Sequence, residues 1–285
     1  MDSFRIESDK LDLKITIIDI ARIHMHEETI PEVVQKLATE LLKDGVLRHP
    51  ILVDEKTLVV LDGMHRAAAL RLIGCVRIPV CLVDYDNPSI TVEAWYRTFS
   101  HEDRKKMINE LARSNIQTEE TNIQDATKNL KNRTAAAFIA TNEKCFIIRS
   151  RERDLKQDYQ VVANLERMAR SLGYEISYET ESDALNELKE GSASVILGPP
   201  PIRKEDVRAF GLRDELFPHK ATRHIIPARP LGIDVPIQLL QDRRMELSEA
   251  NKQMVTRLKK KRLEELEPGS LIENRRYEEQ VFLFK

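Results

Sequence analysis

Short apolar runs bounded by turn residues predict alternating strands and helices in the first part of the chain. A helix opens at Pro31, where the missing N–H does no harm, and ends at Gly45. Its apolar stripe repeats at helical spacing and comprises Val33, Leu37, Leu41 and Leu42. The other elements predicted here are strands over 15–23, 50–53, 57–61 and 78–83 and a helix over 64–73. Together they predict one compact unit.

The middle of the chain shows a second alternation of strands and helices, which begins after the turn residues 86–89. The pattern predicts strands over 92–99, 145–149, 174–179, 194–197 and 222–226, and helices over 157–172, 182–189 and 204–210. Residues 102–131 are polar and predicted to be mostly helical, 237–265 to be one long charged helix and 281–284 a terminal strand. We therefore expect an α/β (α+β) protein with an N-terminal domain over 1–98, a second αβ domain over 99–240 and a helical extension over 241–285.

Composition narrows the class of protein. A net charge of −2 in 285 residues argues against a bulk nucleic-acid binder, which would be basic. Charged residues reach 32%, above the average of about 25%, which is typical of the ion-paired surface of a thermophile's protein. The three cysteines lack metal-ligand spacing. The start of the chain has no signal-peptide pattern, and no apolar run is long enough to span a membrane. We expect a cytoplasmic protein with no membrane partner.

The most informative segment is the turn Asp62-Gly63-Met64-His65-Arg66. An apolar strand stops at Asp62, and a helix-forming run begins directly after Gly63. The N–H groups and positive dipole end of a helix N-terminus favour an anion. His65 and Arg66 would destabilise that first turn unless they face a polyanion such as a nucleotide phosphate, so we expect Arg66 to point toward a ligand. The alternative is an ordinary surface turn in which Asp62 only shapes the Asp-Gly bend.

Residues 44–54 and 61–66 resemble the nucleotide-binding core of the ParB/sulfiredoxin-like fold. Sulfiredoxins carry a reactive Cys just before His-Arg, where this chain has Met64. Chromosome-partition ParB proteins carry Gly-Glu-Arg-Arg in the region of residues 63–66, and this chain lacks both the Glu and the first Arg. The Asp-Gly-x-His-Arg form is similar to that of the free L-serine kinases of archaea, in which the middle residue is usually His rather than Met.

Two further segments of the chain resemble segments of the free L-serine kinases. The resemblance implies that Glu27 or Glu28 is the catalytic base, and we favour Glu27, directly after His26. From the residues alone, both glutamates could instead stabilise the positive end of the following helix. The segment Thr222-Arg223-His224 resembles the serine-binding segment of the family, with Arg223 suited to a carboxylate.

Trp95 lies where the family places a substrate-site tryptophan, although it could equally be core. His224 could likewise be a structural histidine of an apolar strand.

The resemblance implies a Mg²⁺-dependent kinase of an archaeal thermophile that makes O-phospho-L-serine from free L-serine and ATP or ADP. Gly63, Met64, His65 and Arg66 would hold the nucleotide phosphates, and Asp62 would act in catalysis and bind the metal. The product would feed cysteine synthesis. The alternatives are a ParB-like nucleotide-binding, DNA-associated regulator and a non-catalytic nucleotide sensor. The partners expected are serine and an adenine nucleotide, with no nucleic acid; the oligomeric state is not predicted.

Overall fold

A computed structural model describes residues 2–103 and 105–285. Local chain signals set several of the helix ends. Pro31 occupies the first turn of α1, and Gly45 ends it in the left-handed conformation that glycine tolerates. In chain order, the helices are α1 Pro31–Asp44, α2 Met64–Leu72, α3 Lys106–Arg113, α4 Ile123–Lys131, α5 Leu155–Ser171, α6 Glu181–Glu190, α7 Lys204–Leu212, α8 Ile237–Gln241 and α9 Leu247–Lys260.

The strands alternate with these helices along most of the chain. In chain order they are β1 Phe4–Ile6, β2 Leu13–Asp19, β3 Val46–Leu47, β4 Ile51–Asp54, β5 Val60–Asp62, β6 Arg77–Val83, β7 Thr91–Ala94, β8 Tyr96–Ser100, β9 Thr118–Thr121, β10 Ala135–Ala140, β11 Cys145–Arg149, β12 Glu175–Glu179, β13 Val195–Gly198, β14 Thr222–Ile225, β15 Ala228–Leu231, β16 Val235–Pro236, β17 Leu263–Leu266, β18 Leu271–Ile272, β19 Arg275–Arg276 and β20 Gln280–Phe284.

Contacts divide the chain into two compact units. Unit 1 comprises the chain up to Thr91 together with Lys204–His219 and His224–Lys285, and unit 2 comprises Val92–Arg203 and Lys220–Arg223. This division differs from the predicted boundaries 1–98, 99–240 and 241–285, because α7 and the C-terminal segment pack within unit 1. Sequence pattern alone does not say which remote segments share a core.

Unit 1 is built on a mixed sheet with strand order β1-β2-β6-β4-β5. β2 runs antiparallel to β6, and β4 runs parallel to it. β6 is buried along its whole length. The C-terminal helix α9 is fixed to this sheet by Asn251, whose amide accepts from the backbone N–H of Ile17 over 2.7 Å and donates to the carbonyl of Ile17 over 2.8 Å.

Unit 2 contains a sheet with strand order β12-β8-β13-β10-β11-β9, in which neighbouring strands are antiparallel. Helices cover both faces of its central strands, whose side chains alternate between the two faces. Ile196 packs with Phe138 against helices α4 and α6. Val195 and Leu197 point to the other face, where they pack with Phe99 against α3 and α5.

Four predicted elements differ from the structure. The strand predicted over 15–23 ends at Asp19, and a 3-10 helix covers Ile20–Arg22. The long helix over 237–265 is wrong: α8 and α9 are separate, and β17 is a strand paired with β20. The break contains a turn in which the Asp242 carboxylate accepts from the N–H of Arg244 over 2.8 Å. The strand over 92–99 divides into β7 and β8 at Trp95. Residues 102–131 form α3, β9 and α4, apart from Arg104, which lies outside the described residues.

Candidate functional site

The strand, turn and helix predicted around residues 62–66 are present as β5, Gly63 and α2. We call residues 62–66 the phosphate turn, after the ligand that the sequence predicts for them. Gly63 has φ +99°, and a Cβ there would lie 2.6 Å from Cγ2 of Ile51, so the turn requires glycine. Met64 opens the helix. Its N-terminus has no side-chain cap and no acidic residue in its first turn. These features leave the positive end of the helix dipole available to an anion.

The guanidinium of Arg66 shapes this turn. Nη1 donates to the carbonyl oxygens of His49 (3.1 Å) and Pro50 (2.6 Å), and Nη2 donates to Oδ2 of Asp62 (3.2 Å). Arg66 therefore fastens the loop before β4 to the phosphate turn. This structural role comes in addition to the predicted ligand contact, and removing the side chain would disturb both.

Asp62 lies between two arginines. Its Oδ2 accepts from Arg66 and also from Nη1 of Arg229 over 2.9 Å. Burial would raise the pKa of this carboxyl, but the positive charges of Arg66, Arg229 and Arg275 outweigh burial and lower the pKa to about 2. Asp62 is therefore ionised at neutral pH.

The fit of this site to Mg²⁺ depends on one carboxylate. Among the residues that the structure describes, no group of three or more His, Cys, Asp or Glu side chains is placed to hold a metal. Mg²⁺ bound with a nucleotide does not need such a group, because phosphates and waters supply most ligands and the protein adds one or two carboxylates. Both arginines contact Oδ2 of Asp62, which leaves Oδ1 to accept from a metal-bound water. The site fits a nucleotide-borne metal.

The two candidate bases differ in exposure. Glu27 is 8% exposed, whereas Glu28 is exposed. This difference in exposure follows from the pairing of the backbone around Glu27 with Phe217. The N–H of Phe217 donates to the carbonyl of His26 over 2.8 Å, and its carbonyl accepts from the N–H of Glu28 over 2.9 Å. Successive side chains of an extended segment point to opposite sides. The pairing therefore directs Glu27 into the protein and Glu28 to solvent.

Two histidine rings connect Glu27 with the phosphate turn. Oε1 of Glu27 lies 4.0 Å from Nδ1 of His219. The His219 ring meets the ring of His65 edge to face, with centroids 5.6 Å apart. Nε2 of His65 accepts from the N–H of Ile30 over 3.1 Å, which assigns the proton of a neutral His65 to Nδ1. His65 is in the first turn of α2. The carboxylate of Glu27 and the predicted phosphate site therefore belong to one cluster, which comprises Glu27, His219 and His65.

His224 belongs to a second histidine pair in unit 1. Its Nε2 lies 2.8 Å from the hydroxyl of Tyr85, and its ring contacts His26 with centroids 5.5 Å apart. Burial lowers the pKa of His26 to about 4; burial and the neighbouring His26 lower that of His224 to about 3. Both imidazoles are neutral at pH 7, so His224 offers a hydrogen-bonding group rather than a charge.

The other predicted substrate residues meet in unit 2. Nζ of Lys220 and Cζ of Arg223 lie 5.2 Å and 5.4 Å from the centroid of the Trp95 ring. Nη1 of Arg223 donates to the carboxylate of Glu93 over 2.9 Å, and Thr222 is buried. The face of the Trp95 ring therefore contacts two cationic side chains. The structure places Thr222, Arg223 and Trp95 in unit 2 and His224 in unit 1.

No family model matches this chain. An ATP-dependent L-serine kinase of Staphylothermus marinus is 28% identical over 233 residues, which are 79% of this chain and 90% of that protein. The chain is similar to L-serine kinases. The ADP-dependent L-serine kinase SerK of Thermococcus kodakarensis is 26% identical over 83% of this chain and 96% of its own length. The resemblance found in the sequence is confirmed.

Solved structures show the same fold. A free serine kinase in complex with AMP matches with a TM-score of 0.67 and 23% identity, covering 79% of this chain and 93% of that one. SbnI of Staphylococcus aureus, with a C-terminal truncation, matches with a TM-score of 0.63 and 19% identity, covering 85% of this chain and 95% of that one. The predicted α/β fold of the ParB/sulfiredoxin-like kinases is confirmed.

Sequence reasoning missed several residues that contact the predicted site residues. Arg229 is 9% exposed and forms ion pairs with Asp62 and Glu279. His219 lies beside Glu27, and Tyr85 beside His224. One available signal was a lone arginine within the apolar strand β15, since a buried charge needs a partner.

Among the described helices, none is long and apolar enough to cross a bilayer.

Proposed function

We propose that this protein is a kinase of free L-serine, which transfers a phosphoryl group from ATP or ADP to the serine hydroxyl and releases O-phospho-L-serine. One observation carries the proposal. A buried carboxylate, Glu27, lies in the same histidine cluster as the uncapped N-terminus of a helix preceded by an obligatory glycine. A base and a phosphate cradle in one cluster are what phosphorylation of an alcohol requires. The similarity to L-serine kinases supports the substrate.

The donor is held by its phosphates. The N–H groups at the start of α2, including that of Met64, face the phosphate chain, and His65 and Arg66 add side-chain donors. Arg66 also keeps the turn in shape through its contacts with His49 and Pro50. Catalysis of phosphoryl transfer is mostly positioning and electrostatic stabilisation, so the rigidity of this turn contributes directly to the rate.

Glu27 is the general base. As the serine Oγ forms its bond to the terminal phosphorus, the bond from that phosphorus to the bridging oxygen breaks and leaves ADP or AMP. The hydroxyl proton passes to a carboxylate oxygen of Glu27. His219, 4.0 Å from that carboxylate, positions it. Glu28 is exposed and takes no part.

Mg²⁺ bound with the donor would supply positive charge that offsets the negative charge of the phosphates. Asp62 would hold it through Oδ1, directly or through water. The two arginines on Oδ2 keep this carboxylate ionised and fixed in orientation, so its negative charge is present before the nucleotide binds.

Free serine is recognised by its charges. Arg223 binds the α-carboxylate with its planar fork, and Thr222 adds a hydroxyl. In the structure Arg223 pairs with Glu93, whose carboxylate suits the serine ammonium group. Trp95 positions the Arg223 guanidinium through the face of its ring. His224 accepts or donates one hydrogen bond as a neutral imidazole.

The product is a phosphorylated amino acid whose phosphate can leave when sulfide replaces it. We infer that the reaction serves cysteine synthesis and takes place in the cytoplasm. Neither nucleic acid nor membrane takes part in this chemistry.

The experiment is a product assay. The purified protein is incubated with Mg²⁺, free L-serine and either ATP or ADP, and O-phospho-L-serine is measured by mass spectrometry. The proposal requires phosphoserine with at least one donor. A serine-containing peptide, whose carboxylate is an amide, should stay unmodified. Phosphorylation of the peptide with free serine ignored would contradict the proposal, as would nucleotide binding with no phosphoserine, which would favour a nucleotide sensor.

A further inference from the structure

The C-terminal segment reaches the phosphate turn at two points. Strands β18 and β19 form a hairpin whose two-residue turn, Glu273 and Asn274, has positive φ angles of 48° and 65°. Oε2 of Glu273 lies 3.5 Å from Nε2 of His49, the residue whose carbonyl accepts from Arg66. Arg229 provides the second link, because it pairs with both Glu279 and Asp62.

Tyr277 holds the base of this hairpin in place. It is 6% exposed and packs with Leu231 and Val281. Its N–H donates to the carbonyl of Ser270 over 3.0 Å, and its carbonyl accepts from the N–H of Gly269 over 2.7 Å. The Tyr277 ring is therefore a fixed surface beside the site.

Two guanidinium groups contact that ring. Cζ of Arg275 lies 4.7 Å from the Tyr277 centroid, and Cζ of Arg229 lies 5.7 Å from it. Arg229 is nearly buried and neutralised by its two carboxylates. Arg275 is exposed, and among the described contacts it forms no ion pair. The Tyr277 ring thus holds the positive charge of Arg275 next to the turn that carries Asp62 and Gly63. Among the described contacts, no carboxylate pairs with this charge.

We propose that Arg275 contacts the phosphate chain of the donor and makes the site prefer a nucleoside triphosphate to a diphosphate. The inference rests on the proposed function for the identity of the ligand. The positive charges of Arg66 and Arg229 are already balanced by Asp62 and Glu279, so a further protein cation would favour the longer, more highly charged phosphate chain of a triphosphate. Arg275 supplies that cation, and the Tyr277 ring limits the side-chain freedom lost when the phosphate binds.

The test compares Arg275→Gln with Arg276→Gln, a matched change at the next, exposed position of the same strand. Binding of ATP, ADP and AMP is measured by calorimetry with Mg²⁺ and without serine. Arg275→Gln should weaken ATP binding by about 10- to 100-fold, the effect of losing one charge-assisted contact, and ADP binding by less. AMP binding should be unchanged. Arg276→Gln should leave all three affinities as in the wild type.

Three results would overturn the inference: unchanged ATP affinity in Arg275→Gln, equal weakening of ATP and ADP, or the same loss in Arg276→Gln. Arg275→Lys retains the charge and should recover part of the ATP affinity. A thermal melt of each variant monitors folding, which the exposed Arg275 side chain should not affect. Because binding is measured without serine, a failure of the kinase proposal appears separately, as the absence of phosphoserine from a protein that still binds ATP.

Discussion

Nη1 of Arg229 donates to Oδ2 of Asp62 over 2.9 Å and joins two positions 167 residues apart in the chain. The same oxygen accepts from Arg66 over 3.2 Å. The phosphate turn therefore has a charge environment that is built partly by its own helix and partly by the C-terminal part of unit 1. Because Arg66 serves the turn as well as the proposed ligand, its removal has two measurable consequences.

Arg66→Ala should weaken nucleotide binding by roughly 1.5–3 kcal/mol, the contribution of a charge-assisted contact. It should also lower the free energy of unfolding by about 1–3 kcal/mol, because the carbonyls of His49 and Pro50 lose their donor. Calorimetry and urea denaturation measure the two effects. Arg71→Ala is the matched control on the same helix: Arg71 donates to the carbonyls of Ile20 and Ile23, so its loss should affect stability only. Unchanged nucleotide affinity in Arg66→Ala would remove Arg66 from the phosphate site.

Gly63→Ala should destabilise the protein by roughly 2–4 kcal/mol, because the left-handed conformation disfavours a side chain and the new Cβ collides with Ile51. Gly45→Ala provides the control, since Gly45 also has a positive φ of 68° but has nothing within 4 Å of the added Cβ. That variant should lose only about 1 kcal/mol. Thermal denaturation compares the two. Equal losses would show that the close approach at Gly63 is not a constraint.

Acid should destabilise unit 1 through His26 and His224. Their folded pKa values, about 4 and about 3, lie below the ordinary value of 6.5. Between pH 6.5 and pH 4 the unfolded chain binds more protons than the folded protein. The contribution of the two histidines to the free energy of unfolding is therefore fully present above pH 6.5 and falls as the pH drops toward 4. The slope approaches about 1.4 kcal/mol per pH unit for each histidine. Denaturation curves from pH 7 to pH 4 measure it. His224→Gln should reduce the slope, and an unchanged slope would mean that His224 titrates normally.

Arg223→Lys should raise the KM for serine far more than the KM for nucleotide, because lysine cannot reproduce the bidentate contact with a carboxylate. Threonine should be disfavoured only by about 1–3 kcal/mol, the effect of one additional methyl group. Steady-state kinetics with both amino acids measure these differences. Equal changes in the KM of serine and nucleotide would indicate that Arg223 supports the fold rather than the substrate.

The strand, turn and helix at the phosphate site could be predicted because the information is local. The apolar run that ends at Asp62, the glycine at a positive φ and the helix-forming residues after Met64 all lie within a few positions of one another. The helix over 237–265 failed for the opposite reason. Its charged composition suits a helix, but residues 263–266 pair with a strand at the end of the chain, and that pairing overrides local propensity.

The choice between Glu27 and Glu28 depends on a contact that no local pattern contains. Only the pairing with Phe217 determines which of two adjacent glutamates faces inward. Arg229 and His219 were missed for the same reason, because each acquires its partner from a remote segment. The sequence indicated which types of residue the site needs, whereas contacts between remote segments determined which of these residues meet.

The most direct measurement is phosphoserine formation by the wild type, Glu27→Gln and Glu28→Gln under identical conditions, with Mg²⁺, free L-serine and each donor. The wild type should form O-phospho-L-serine, and Glu27→Gln should be slower by about 10²- to 10⁴-fold with nucleotide affinity nearly retained, since it loses the general base. Glu28→Gln should match the wild type, because Glu28 is exposed. Equal activity of Glu27→Gln and the wild type would contradict the role of Glu27, and no phosphoserine from any of the three proteins would contradict the kinase itself.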